Sequence, residues 1–502
     1  MSLRMSFFNS IAIKSQSRFW RVAGLCAVLK LLQTLSTAVS VVPRLRLFEA
    51  TICRAYYQTH DPGAIGIDNN VPEELCKIDA VQTDLAQLTG WNSFFFYIPM
   101  LLLAIPYSAL SERVSRKTVL LVNVSSGILS QLYVLMICYF YNTFDVRLIW
   151  LASLFDCVGG GRLVFNTMTQ VLIAEVTAPS SLSTVYFRLT SIMSVSRVMG
   201  VTSGSYLLSY GVWLPIWLGL AVYGLCVPVL LLLSDHRNHI SAKTNPSDTE
   251  NHLLQPGHHS TDPDSAEKKS ESDHKTQNIK SSEDNQSPTQ STSLLRSFSA
   301  YLTFMSDHFL ILAIFFIHES GMGVRNITEQ WMSQRFTWPL RMTGYILASE
   351  TFLGSLFLAI LPTISHHLLR GSKNTRGARQ VQKAQLYIIR GSLFAAASGT
   401  ALIAASGSSR LTFLMALGVF ALAVGFHDAL KSYVTGLVDV KAITRMYMCI
   451  SIVETCANIV NGPVWAEIYT IGMSYGGRGM PLPFLVCCLL FLGSLGLVSR
   501  LV

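Results

Sequence analysis

The sequence predicts an all-α integral membrane protein of twelve transmembrane helices arranged as two bundles of six. Three observations predict it. Twelve apolar runs are each long enough to cross a hydrocarbon core about 30 Å thick, which takes ~20 apolar residues per helical span. A tract rich in Ser, Asp, Lys, His and Gln, residues 234–306, splits those runs six and six. The 502-residue chain is 50% hydrophobic and only 13% charged, about half the charged share of an average soluble chain, and its mean hydropathy is +0.41.

The spans are read at residues 22–43, 91–111, 118–140, 147–173, 189–210, 213–233, 308–328, 343–364, 386–407, 410–431, 444–469 and 482–500. The first run is too long for the apolar core of a signal peptide. It contains Lys30 and ends in Pro43-Arg44 rather than a small-residue cleavage site, so it is read as the first span. Orientation follows from the basic loops. Arg4, Lys14, Arg18 and Arg21 precede span one, and Arg113, Arg116 and Lys117 separate spans two and three. Arg370, Lys373, Arg376, Arg379 and Lys383 separate spans eight and nine. All three groups fall on one side if the N-terminus is cytosolic. The net charge of +9 is explained by this bias, and no nucleic-acid partner is expected.

The resulting organisation is a cytosolic N-terminal segment (1–21), a six-helix bundle (22–233), a cytosolic linker (234–306) and a second bundle (307–502). The linker is too polar to bury a core and is expected to be disordered. The first bundle carries a large acidic external loop, 44–90, with Glu49, Asp61, Asp68, Glu73, Glu74, Asp79 and Asp84. That loop also holds Cys53 and Cys76. An oxidising compartment would permit a disulfide between them, with two unpaired thiols or partners elsewhere as the alternatives. Asn326-Ile-Thr328 is a glycosylation sequon, expected to be unused because it lies close to span seven. The ten Cys show no zinc-binding spacing, and no metal or cofactor is expected.

Ionisable residues inside spans are costly and tend to face a cavity or a partner. Lys30 lies in span one, Asp156 and Arg162 in span four, Arg197 in span five and Glu319 in span seven. Glu350 lies in span eight, His427 and Asp428 in span ten and Glu454 in span eleven. Spans one, four, seven and ten each carry such a group, while spans three, six and twelve carry none, which suggests a three-helix unit repeated four times. At ~1.5 Å per residue, Lys30, Asp156, Arg197, Glu319 and Glu454 lie near mid-depth. Glu350 is expected nearer the outside, and His427 and Asp428 nearer the cytosol. Glu319 and Glu454 are candidates for proton exchange or substrate contact. Lys30 either pairs with Asp156 or serves transport. Arg197 either neutralises a neighbouring acid or a helix C-terminus, or serves transport. Asp428 either pairs with Lys431 or acts with His427 as a gate or relay. Trp331, Tyr345 and Tyr447 either line the path or pack the core.

Between spans two and three the chain reads Ser108-Ala-Leu-Ser-Glu112-Arg113-Val-Ser115-Arg116-Lys117. This resembles the loop signature of the major facilitator superfamily, Gly-x-x-x-Asp-Arg-x-Gly-Arg-Lys. Glu112 stands at the acidic position, Arg113, Arg116 and Lys117 match, and Ser108 and Ser115 replace the glycines. The large first external loop with Cys76-Lys, Val81-Gln and Leu85-Ala-Gln-Leu-x-Gly-Trp91 resembles a fungal branch similar to the proton-coupled folate and thymic-stromal solute carriers. Gly159-Gly-Gly161 in span four and Asn461-Gly-Pro463 in span eleven fit the same pattern. The superfamily's usual span-four Arg aligns with Asp156, which reverses the charge there.

The resemblance implies a secondary transporter working by alternating access, with a proton gradient as driving force. The expected function is proton-coupled efflux of a small organic compound such as a secondary metabolite or drug. The alternative is proton-coupled uptake of a nutrient or vitamin-like anion, with Lys30 and Arg197 binding its carboxylates. The expected setting is the cell membrane, or a vacuolar or other internal membrane, with a small-molecule substrate and lipid as partners and a monomeric state. No nucleophile or phosphate-loop motif is present, which argues against an enzyme or an ATP-driven pump.

Overall fold

The computed structural model describes residues 2–66, 70–177, 182–233, 303–370, 378–438 and 443–501. One compact unit is formed by 1–234 with 308–502. A second unit, 235–307, is described only at its helical end, 303–307, so the predicted disorder of the linker lies outside the described residues. The compact unit is built from twelve helical rods: α1 (Ser2–His60), α2 (Asp79–Arg113), α3 (Arg116–Tyr139), α4 (Val146–Ala174), α5 (Leu182–Leu207), α6 (Trp213–Leu232), α7 (Phe309–Phe336), α8 (Leu340–Arg370), α9 (Ala378–Ala405), α10 (Arg410–Thr435), α11 (Ile443–Ser474) and α12 (Leu482–Ser499). Nine segments among the described residues are long and apolar enough to cross a membrane by length and composition. The other three rods are α2, α5 and α11.

The first predicted span ended at Pro43, but α1 runs through that proline to His60. Proline removes one helical hydrogen bond, a loss that neighbouring helices can make good inside a bundle. The extension puts Arg44, Arg46 and Glu49 on a helix rather than in a loop. What remains of the loop is short, and its Glu73–Lys77 turn is tied to α1 by a disulfide between Cys53 and Cys76. That end of the unit is called the disulfide end below.

Within the first half, α1 packs on α5 and α6, and α3 packs on α4. In the second half α9 packs on α10 and α12, and α7 on α11 and α12. Two apolar cores hold the first half together. Cys26, Leu29, Leu120, Phe165 and Leu230 belong to one, and Cys53, Leu85, Ile137 and Ile149 to the other, at the disulfide end. The halves meet along α2 with α11 and along α5 with α8. Gly90 and Gly462 set the first seam: a methyl group added at Gly462 would lie 2.2 Å from the Gly90 carbonyl. Small residues let helix backbones approach this closely without lipid between them.

α4 is broken in the middle. Gly160 and Gly161 take left-handed backbone angles, φ +74 and +61, which glycine adopts at little cost. The break frees carbonyls, and the Asn123 amide of α3 donates to two of them, Gly159 O at 2.6 Å and Gly161 O at 2.8 Å. Helix breaks at membrane depth survive when neighbouring side chains satisfy the backbone in this way.

Candidate functional site

The charged residues of the spans gather into four groups. The first lies within the first half, around a cavity of about 150 Å³. Asp156 lies in the last turn of the first segment of α4, which ends at Gly159, and Arg162 in the first turn of the second, which opens at Gly161. Arg44 of α1 faces both, within electrostatic reach. The sequence reading had placed Arg44 in the external loop. Lys30 does not pair with Asp156. It is buried, and its Nζ donates to Asn166 Oδ1 at 3.1 Å. The two helices face each other at several levels, and depth alone did not fix which residues share a face.

The second group lies on α7, α10 and α11. Glu319 accepts from the Asn458 amide at 3.2 Å, and Asn461 donates to the Glu319 backbone carbonyl at 3.0 Å. Glu454 faces His427 and Lys431, each at 3.4 Å, and lies within electrostatic reach of Glu319. Lys431 also lies within electrostatic reach of Glu319 and of Asp428, which is exposed. Beside Glu319, His318 is buried and stacks on Phe426 with ring centres 3.8 Å apart. Tyr97 of α2 lies within reach of both Arg162 and Glu319, so the first two groups meet across the gap between the halves.

The third group straddles the halves near α5 and α8. Arg325 of α7 pairs with buried Glu350 of α8. Arg197 of α5 stands within reach of Arg325, Glu329 and Glu350. Its acid neighbours thus come from the opposite half.

The fourth group is at the disulfide end and was not foreseen. Arg46 contacts Glu49 at 2.9 Å and Glu73 at 3.5 Å, and Lys77 contacts Glu49 at 2.7 Å and Glu73 at 3.1 Å. Gln82 Nε2 donates to Glu49 at 2.7 Å and to the Cys76 carbonyl at 2.9 Å. From the second half, Gln330 donates to the Gln82 carbonyl, Gln334 donates to Asp79 at 2.8 Å, and Tyr469 donates to Gln334. Gln87 also reaches Glu467 of α11 at 2.8 Å. The signal that could have found this group was charge balance: two cations and two acids recur at helical spacing across 46–49 and 73–77.

The remaining predicted residues are placed as follows. Glu112 and Arg113 close α2, but their side chains lie outside the described residues. Arg116 and Lys117 open α3. Ser115, at a glycine position of the signature, caps that helix by accepting from the Thr118 N–H at 3.2 Å, as N-cap serines do. Lys117 donates to the Leu231 carbonyl of α6 at 2.9 Å. Asn326 lies inside α7 rather than beside it, with the Thr328 hydroxyl turned back on the Val324 carbonyl. Trp331 is buried against Phe336, Phe413 and Phe484, so it packs the core. Tyr447 meets the Thr435 hydroxyl at 2.8 Å, and Tyr345 is half-buried. The described residues contain no cluster of His, Cys, Asp and Glu suited to a metal ion.

Comparison with known proteins agrees with this architecture. The family profile of the Major Facilitator Superfamily matches residues 78–450. The MFS efflux pump atnC of Emericella nidulans is 27% identical over 481 residues, covering 95% of this chain and 87% of its own. Efflux pump ustT of Aspergillus flavus is 25% identical over 492 residues, covering 95% and 88%. Among solved structures, the nucleoside transporter NupG superposes with a TM-score of 0.60 at 12% identity, covering 95% of this chain and 98% of that one. A D-xylose-proton symporter gives 0.57 at 9%, covering 94% and 97%. At these identities the structures speak for the fold alone.

Proposed function

Because this chain belongs to the major facilitator superfamily, we propose that it exports a small organic compound of the secondary-metabolite class in exchange for protons, by rocking one six-helix half against the other. It is a multi-pass, non-enzymatic membrane transporter. The relatives named as efflux pumps match it over nearly its whole length, and this supports the outward direction. The basic loops support a cytosolic N-terminus with the disulfide end outside, and export from the cell takes the plasma membrane as its setting. The motifs of the first external loop support a relation to the proton-coupled folate and thymic-stromal carriers within the superfamily.

The observation that carries proton coupling is the placement of Glu319 and Glu454. Two carboxylates and one ammonium, that of Lys431, share the gap side of α7, α10 and α11. Taking up one proton on Glu319 or Glu454 leaves the other carboxylate to pair with the Lys431 ammonium. Moving a neutral set through the barrier between facing states costs less than moving a charged one. Proton release then leaves a negative site that must be answered before the halves rock back. Asp428, exposed on α10 next to His427 in sequence, serves in this reading as the proton entry point. Glu350, Arg325 and Arg197 form a bridge between the halves that must rearrange when they rock. One chain encloses the whole path, so a monomer suffices.

The test is intracellular accumulation of a panel of fungal metabolites in cells with and without the protein, at two external pH values. Export predicts lower internal levels in expressing cells. Higher internal levels at acid external pH would instead establish proton-coupled uptake.

A further inference from the structure

We propose that the polar cavity of the first half binds the anionic group of the transported compound, a carboxylate or an acidic phenol, between Arg44 and Arg162. This inference rests on the transport reading above and adds the substrate's chemical class.

Three charged residues line that cavity: Arg44, Asp156 and Arg162. Two guanidiniums against one carboxylate leave an excess positive charge of one. Lysine or histidine in such a place could shed its proton, but a guanidinium stays charged at any accessible pH. Protonating Asp156 would raise the excess to two. The cavity is therefore permanently cationic, and a ligand anion is the species that balances it. The sign reversal at residue 156 is thus offset by arginines on either side of it.

The remaining lining combines hydrogen-bonding side chains with an apolar wall of Phe48, Phe96, Val134 and Tyr223, which suits an acid carried on a ring. Gln33 of α1, Asn92 of α2 and Gln131 of α3 carry amide hydrogen-bond donors, and the N-terminal end of the second segment of α4 abuts the cavity at Gly161. A helix N-terminus adds positive potential. Arginine forks grip carboxylates through two parallel hydrogen bonds. The volume, about 150 Å³, is smaller than the ~300–1,000 Å³ of drug-sized sites. It admits one acidic group with a ring or short chain, not a whole metabolite. The rest of the molecule then lies towards Tyr97, in the gap that leads to Glu319. One half holds the acid end, and the other holds the proton-exchanging carboxylates.

The test is equilibrium binding to the full-length purified protein in lipid nanodiscs, with benzoate as probe and benzamide and benzylamine as uncharged and cationic counterparts. Benzoate is expected to bind at least tenfold more tightly than either. Arg44→Gln and Arg162→Gln should each weaken benzoate at least tenfold, Arg162→Lys should restore part of the loss, and Asp156→Asn should bind benzoate as well or better. Thermal unfolding of each variant identifies any that fail to fold, and the ranking of the three probes on the unsubstituted protein stands without them. Equal affinity for benzoate and benzylamine, or wild-type benzoate affinity in a folded Arg162→Gln protein, would overturn the proposal. Binding is read without transport, so a failure of export in cells leaves this result independent.

Discussion

Glu73 Oε1 accepts a hydrogen bond from the backbone N–H of Leu340 at 2.7 Å. Glu73 belongs to the turn of the first half at the disulfide end, and Leu340 is the first residue of α8 in the second. The first N–H groups of a helix have no partner within it, so the loop of one half caps a helix of the other. Arg46 and Lys77 hold the Glu73 carboxylate in place, and the Cys53–Cys76 bridge holds the turn. The cross-half hydrogen bonds of Gln330 and Gln334 lie beside this contact. Together they close the gap at the disulfide end.

Removing that cap should open the closed end. Glu73→Ala loses a hydrogen bond to a charged group, worth ~1.5–3 kcal/mol, which corresponds to a tenfold or larger shift towards the open form. A Thr37→Cys reporter on the cavity wall should then react faster with an impermeant maleimide added from the outside. An unchanged labelling rate would show that the contact does not hold the gate.

Glu49 is 1% exposed and sits between Arg46 and Lys77. Breaking an isolated buried pair costs about 3–5 kcal/mol; without Lys77 two carboxylates share Arg46 alone, and Arg46 and Gln82 hold the cost below that range. Lys77→Met should lower the thermal unfolding midpoint of purified protein, whereas Lys77→Arg should cost much less. Equal midpoints for the two variants would contradict the network as drawn.

The disulfide spans a sequence separation of 23, and closing a loop of that size contributes ~3 kcal/mol in the chain-entropy view. Cys53→Ser, or mild reduction of the unsubstituted protein, should lower the unfolding midpoint by similar amounts. Mass spectrometry that found both thiols free in folded protein would remove this contribution.

Gly462→Val places a branched side chain where a single methyl already meets the Gly90 carbonyl at 2.2 Å. The α2–α11 seam must part. Overpacking of this kind costs roughly 1–3 kcal/mol, and export should fall because the seam must re-form in each cycle. A variant with normal stability and normal export would mean that the helices separate freely there.

The architecture was legible in the sequence because a bilayer imposes length and apolarity on each span, and these survive in a single chain. The break in α4 was not read from the sequence: Gly159-Gly-Gly161 was noted only as part of a resemblance, and glycine permits a left-handed turn without dictating one. Nor was it legible which residues share a face. Lys30 and Asp156 are both set deep in their spans, yet Lys30 turns to Asn166 and Asp156 to the arginines. Sequence treats charge as a sign of water, so Arg44, Arg46 and Glu49 were read as loop. In the fold their charges are balanced by one another or face a cavity, and the helix continues past Pro43. Arg325 was overlooked as a partner because it lies near a predicted span end, and Lys431 was considered for Asp428 but not for Glu454. They meet Glu350 and Glu454 from neighbouring helices.

The central claim is that Glu319 carries the coupling proton. The direct measurement is transport of an exported compound in proteoliposomes, with and without an imposed pH gradient, for unsubstituted protein and Glu319→Gln. The account predicts that the gradient drives uphill movement in the first and not in the second. It also predicts that substrate–substrate exchange persists in Glu319→Gln at a measurable fraction of the normal rate. Gradient-driven accumulation of normal size in Glu319→Gln would contradict it.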